Sequence, residues 1–236
     1  MRTAIMIDGA FFIRRALKIF GPLSPEELAA RLQRYACKHL ILNKNAQNSK
    51  HEFNEALYRM FFYDCPPLQK KMEHPLTKKV IDYSSSEKAK WRLELHNVLR
   101  RKPKVALRLG VVDDVNCGWV IPSKIIRKLC ANTLSISDLK EGDITISGKQ
   151  KGVDMRIGID IASISYKKQA QRIVLISGDS DFVPAAKLAR REGIEFILDP
   201  MWAPIKPDLQ EHIDRLYSTF PRPKSQKQED DKHKDN

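Results

Sequence analysis

Residues 172–181, RIVLISGDSD, read as a buried strand that ends on carboxylates. RIVLIS (172–177) is almost entirely apolar, so it is hidden on both faces, as strands of a parallel sheet are. Gly178 lets the backbone turn tightly, and Asp179 and Asp181 follow at once. Burying an unpaired carboxylate costs several kcal/mol. These acids therefore belong at the open end of a sheet, where parallel α/β folds bind ligands at the switch in strand order. The N-terminus repeats the pattern, with TAIMID (3–8) a buried strand closed by Asp8 and Gly9.

Outward from these two strands the chain alternates. Helices are expected over 24–42, with Ser24 as N-cap and Pro25 in the first turn, and over 122–129, 155–166, 182–192 and 208–217. Strands are expected at 56–64, stopped by Pro66 and Pro67, and at 105–112 and 194–199. Apolar strands separated by helices imply an α/β fold whose parallel sheet is covered on both faces. Val120, Ile121, Ile125 and Leu134 read as core or as a dimer face, the core being favoured.

A chain of 236 residues fits one such domain, or one with an insert. No apolar run approaches the roughly 18–20 residues of a membrane span, and residues 1–9, broken by Asp8, do not read as a signal peptide. A soluble, cytoplasmic protein is expected. The four cysteines form no CxxC pair and the six histidines no HExxH, which argues against a zinc ribbon, a redox motif and a histidine-bound zinc.

The net charge of +13 predicts attraction to a polyanion. The tail 221–236 holds five basic and four acidic residues and does not explain the excess. Between 66 and 110 stand twelve Lys/Arg against four acids, about +8. Trp91, Leu95, Val98 and Leu99 recur there at helical spacing, so an amphipathic helix with a basic outer face is expected. Arg92, Arg100, Arg101 and Lys102 are its candidate residues for nucleic-acid contact.

Asp154, at the start of the 155–166 helix, joins Asp8, Asp179 and Asp181 as a candidate for a shared acidic centre. Asp160 lies about 240° round the same helix, so it reaches such a centre only from the edge. Clustered carboxylates repel one another, and a divalent cation is the usual reason they persist at neutral pH. Oxygen donors without His or Cys select Mg²⁺ or Mn²⁺ over zinc. Ser180 opens the following helix, whose free N–H groups could hold a phosphate or water beside the metal.

IDGAFF (7–12), YRMFFYDCPP (58–67), KGVDMRIGIDI (151–161) and SGDSDFVPAAKLARREG (177–193) together resemble the NYN family of PIN-like nucleases. The resemblance implies a Rossmann-like PIN fold over 1–220, with 66–150 a less typical basic helical insertion, and a metal-dependent ribonuclease acting on RNA. It implies that Asp8, Asp154, Asp179 and Asp181 are the catalytic, metal-binding acids, that Lys151 steers the scissile phosphate, and that Asp64 stands behind the ligands. Phe11 departs from the Asn that many members carry shortly after the first Asp. That departure leaves open a second reading, an RNA-binding or regulatory module of the same fold without catalysis. A haloacid-dehalogenase-type phosphatase requires DxD, and Ala10 removes it. Homo-oligomer formation is left open.

Overall fold

The computed structural model describes residues 1–41 and 56–223. The tail expected over 221–236 lies, from 224 on, outside them, as does the end of the first expected long helix. Ten strands and seven α-helices are described: β1 (Thr3–Asp8), α1 (Gly9–Phe20), α2 (Pro25–Ala36), β2 (Leu57–Asp64), β3 (Lys71–Glu73), β4 (Val80–Asp82), α3 (Glu87–Arg100), β5 (Val105–Leu109), β6 (Val111–Val120), α4 (Ser123–Cys130), β7 (Thr145–Lys151), α5 (Val153–Tyr166), β8 (Arg172–Ile176), α6 (Val183–Arg191), β9 (Glu195–Asp199), α7 (Pro207–Glu211) and β10 (Arg215–Leu216). None of the described helices is long and apolar enough to cross a membrane.

The chain divides into two compact units. The first comprises Met1–Asp64, Glu94–Leu109 and the chain from Gly152 on; the second comprises Cys65–Leu93 and Gly110–Lys151.

In the first unit six strands form one parallel sheet in the order β10-β9-β8-β1-β2-β5. The strand order reverses at β1, which pairs with β2 on one side and with β8 on the other. One face carries Ala4, Met6, Phe61, Tyr63, Ile173 and Leu175, packed on Ile157, Ile161 and Ile164 of α5 and on Val183 and Ala186 of α6. Phe62 points the other way and meets Phe12 of α1 edge-on, with ring centroids 6.1 Å apart. Helices thus flank the six-stranded parallel sheet, an α/β architecture consistent with the expected PIN-like Rossmann type.

The helix starts follow local chemistry. Ser24 and Glu27 close a reciprocal capping box ahead of α2, with Pro25 in the first turn. Asp8 caps α1 by accepting from the Phe11 N–H at 3.1 Å. Gly9 has to be glycine, because a Cβ there would lie 2.6 Å from the Tyr63 carbonyl oxygen.

Three expectations are corrected. The segment 208–217 is not one helix: α7 stops at Glu211, and β10 then joins the sheet edge. Asp214 causes the switch, since its carboxylate accepts from the Phe196 N–H at 2.8 Å and from Arg190 Nε at 2.8 Å, pinning the chain beside β9. The strand expected over 105–112 ends at Leu109, and Val111 opens β6. Val120, Ile121, Ile125 and Leu134 are not core: none is buried, and Val120 is 41 % exposed.

The second unit carries, beside its helices, two antiparallel ribbons, β3–β4 and β6–β7. His74 pins its turns: Nδ1 accepts from the Leu76 and Thr77 N–H groups, and Nε2 donates to the Glu141 carbonyl at 3.2 Å. Trp119 packs edge-on against that ring and donates to the Glu73 carbonyl. Many of the basic residues of this unit face acids on its surface, as Lys71 does Asp82, Lys78 Glu73, Lys79 Glu141 and Lys90 Glu87.

Candidate active site at the carboxyl ends of the strands

The two central strands, β1 and β8, deliver Asp8 and Ser177–Asp179 to the same end of the sheet, at the point where strand order reverses. Ser177, fully buried, joins them. Its hydroxyl donates to Asp8 Oδ2 at 3.2 Å and accepts from the Asp179 N–H at 3.3 Å. Asp179 in turn accepts from the Asp181 N–H at 3.0 Å, capping the short 3₁₀ turn Ser180–Phe182. Asp179 thus holds the turn, and Ser180 lines the adjoining cleft.

Asp154 sits in the first turn of α5 and is coupled to the others through space. Burial, followed by the charges of Asp179 and Asp181, pushes its carboxyl upward. Burial also raises Asp8, with Asp154 adding to the rise, while the Phe11 N–H, the Ser177 hydroxyl and the Arg14 charge work against it. All four acids thus belong to one electrostatic group. Among the described residues none of the four forms an ion pair.

The donor set suits a hard dication: all oxygen, like-charged and unpaired with any basic side chain. No three Asp, Glu, His or Cys side chains among the described residues stand close enough to enclose an ion by themselves.

Asp160 projects from α5 onto the sheet, accepting from the Tyr63 hydroxyl at 2.9 Å and from Arg108 Nε at 3.1 Å. Burial and that carboxylate push the Tyr63 phenol upward. Asp64, at the end of β2, is buried against His96 at 2.7 Å. Lys151 ends β7 in the second unit, where its ammonium pairs with Asp113. Lys151 and Asn116 hold the Asp113 carboxyl down at about 2. Arg92, half-buried, lines a recess of about 210 Å³ in the second unit beside Tyr83 and Lys88.

Arg100, Arg101 and Lys102 are not brought to the acids. They end α3 and lead into the start of β5, so they stand at the amino end of a parallel sheet whose carboxyl end holds Asp8. The strand between spans roughly 17 Å. Arg14 of α1 and Lys206 line an open cleft of about 300 Å³ with Asp8, Phe11, Asp179 and Ser180. Ser177, Arg14 and Lys206 were missed by sequence reasoning. A signal existed for Ser177 alone, as the residue between strand and glycine in ISGDSD.

Asp8 and Asp179 thus line a cleft at the switch point of the parallel sheet. Among known families, the NYN domain model matches residues 112–218. NYN domains are a family of PIN-like nucleases, and the match spans a little under half of the chain. The matched span includes Asp154, Asp179 and Asp181 and stops short of Asp8. No curated protein matches the chain. A crystal structure of a protein of unknown function from Vibrio parahaemolyticus is similar at 14 % identity and TM-score 0.46, covering 92 % of this chain and 91 % of that one.

Proposed function

We propose that the protein is a metal-dependent ribonuclease that hydrolyses RNA phosphodiesters at the Asp8, Asp154, Asp179 and Asp181 cluster. The observation that carries this reading is the grouping itself. Four like-charged side chains from three separate segments are coupled through space, two of them pushed upward in pKa, and among the described residues no basic side chain forms an ion pair with them. Such repulsion is relieved by a bound cation.

Asp8 and Asp179 would hold Mg²⁺ or Mn²⁺, with Asp154 and Asp181 completing the shell directly or through water. The ion would supply an activated water and charge neutralisation at the phosphate. The chain's own part is positioning. Ser177 and the Phe11 N–H fix both oxygens of Asp8, and the Asp181 N–H fixes Asp179. Hydrolysis of this type leaves 5′-phosphate and 3′-hydroxyl ends.

The test is cleavage of a labelled single-stranded RNA. The wild-type protein is expected to cut with Mn²⁺ and to stop on chelation, and Asp179→Asn to bind RNA without cutting it. Equal cutting by Asp179→Asn overturns the assignment. A second reading, an RNA-binding module without catalysis, draws on Phe11 at the family's Asn position and on the absence of a closed three-acid group among the described residues. Binding without products, with or without metal, would favour it.

A further inference from the structure

The acid cluster borders two recesses of opposite chemistry within the first unit. The one bordered by Asp154 and Asp181 is walled by Met155, Ile159, Pro184 and Leu188 and offers an anion nothing. The other holds Asp8 and Asp179 together with Arg14 and Lys206.

Arg14 and Lys206 arrive independently. Arg14 lies on α1, and its Nε donates to the Ala10 carbonyl at 3.2 Å. That bond lays the side chain back toward the amino end of the helix, where Asp8 is the cap. Lys206 stands at the N-cap position of α7. Both are exposed, and among the described residues neither is engaged by a carboxylate in an ion pair. Charge arithmetic gives the cleft its preference. Asp8 and Asp179 contribute −2 and Arg14 and Lys206 +2, so the walls are neutral, and a bound dication would leave +2. A neutral acid–base cleft attracts no anion strongly, whereas the ion-loaded one draws in a phosphate. Phe11 forms the apolar wall, with its ring against Gly178. It supplies no side-chain hydrogen bond, so the side-chain donors available to phosphate oxygens are Arg14, Lys206 and Ser180.

We propose that Arg14 and Lys206 seat a backbone phosphate of the RNA strand beside Asp8 and Asp179, as positioning residues for the cut. The inference rests on the nuclease reading and deepens it. Arg14 presents a fork suited to two phosphate oxygens, and Lys206 a point charge. Contacts of this kind set register on the strand and carry no base preference.

The experiment is the salt dependence of binding, with a short labelled single-stranded RNA and Ca²⁺ in place of Mn²⁺, so that the ion site is filled while product gels show the RNA whole. Each lost phosphate contact lowers the slope of log K against log salt by about 0.7 on single strands. Arg14→Gln and Lys206→Gln are each expected to lower the slope by about 0.7, and the double variant by about 1.4. Arg14→Lys should restore most of the Arg14 share. Lys167→Gln, at the carboxyl end of α5, should leave the slope unchanged. With Mn²⁺, each Gln variant is expected to raise KM about tenfold, with kcat less affected. Wild-type binding and cutting, with an unchanged slope and KM in the folded double variant, overturns the phosphate seat and leaves the nuclease reading standing. A slope that falls as expected in a protein that never cuts supports the seat and overturns the nuclease. A wild-type chain that neither binds nor cuts RNA overturns both.

Discussion

The Ser177 hydroxyl donates to Asp8 Oδ2 at 3.2 Å and also accepts from the Asp179 N–H, so one buried side chain ties the two central strand ends together. Ser177→Ala removes both bonds. The expected cost is about 1 kcal/mol per bond, read as a lower melting temperature. Because the hydroxyl opposes the rise in the Asp8 carboxyl, its loss should also move the acid limb of the activity profile to higher pH. A pH–rate series on the variant checks this.

Asp8 is raised in the folded chain, chiefly by burial, so between its unfolded and folded pKa values the native state holds more protons than the unfolded one. Its contribution to stability is therefore most favourable below the unfolded value and is lost as pH rises through the folded value. At neutral pH, without metal, Asp8→Asn should then melt higher than wild type, by about 2–4 °C if 1 kcal/mol is recovered. Saturating Mn²⁺ should raise the wild-type melting temperature and leave that of Asp8→Asn nearly still. Thermal melts with and without the ion give both comparisons.

Gly178 is coupled to Phe11. A Cβ at 178 would lie 2.8 Å from the Phe11 ring, which cannot yield as a flexible chain end would. Gly178→Ala is expected to cost about 1–3 kcal/mol by overpacking and to push the ring toward the cleft. Adding Phe11→Leu should recover much of that stability, as a double-mutant cycle would measure.

The Asp64–His96 pair is fully buried, with 2.7 Å between its atoms. Removing one partner of a buried pair strips the other of that contact, at about 3–5 kcal/mol. His96→Ala should therefore lower stability strongly, while the folded protein, assayed well below its melting point, keeps its metal dependence. A changed metal requirement would instead place Asp64 behind the ligands.

Much of the sheet was legible because its strands are continuous apolar runs that end on Asp. TAIMID and RIVLIS lie side by side as β1 and β8, and Asp8 and Asp179 at their ends line one cleft. The helix α1 was passed over although Phe12, Ile13 and Ala16 keep helical spacing, because the glycine after Asp8 reads first as a turn. The ribbon β6–β7 joins segments with 24 residues between Val120 and Thr145, and VVDDVNCGWV has no alternation to announce it. The 208–217 segment defeats a local reading because a single acid, Asp214, settles its path through a partner on β9. Charge misled most. Density of Lys and Arg pointed to Arg100, Arg101 and Lys102, yet α3 delivers them to the amino end of β5. Two isolated cations, Arg14 and Lys206, line the acid cleft instead.

The most direct test is a Mn²⁺ titration followed by electron paramagnetic resonance on the folded wild-type protein and on Asp179→Asn. One or two ions taken up by wild type, with affinity falling at least tenfold in the variant, is the expected outcome. A wild-type chain that takes up no Mn²⁺, or a variant that takes it up equally well, contradicts a metal centre at these four acids.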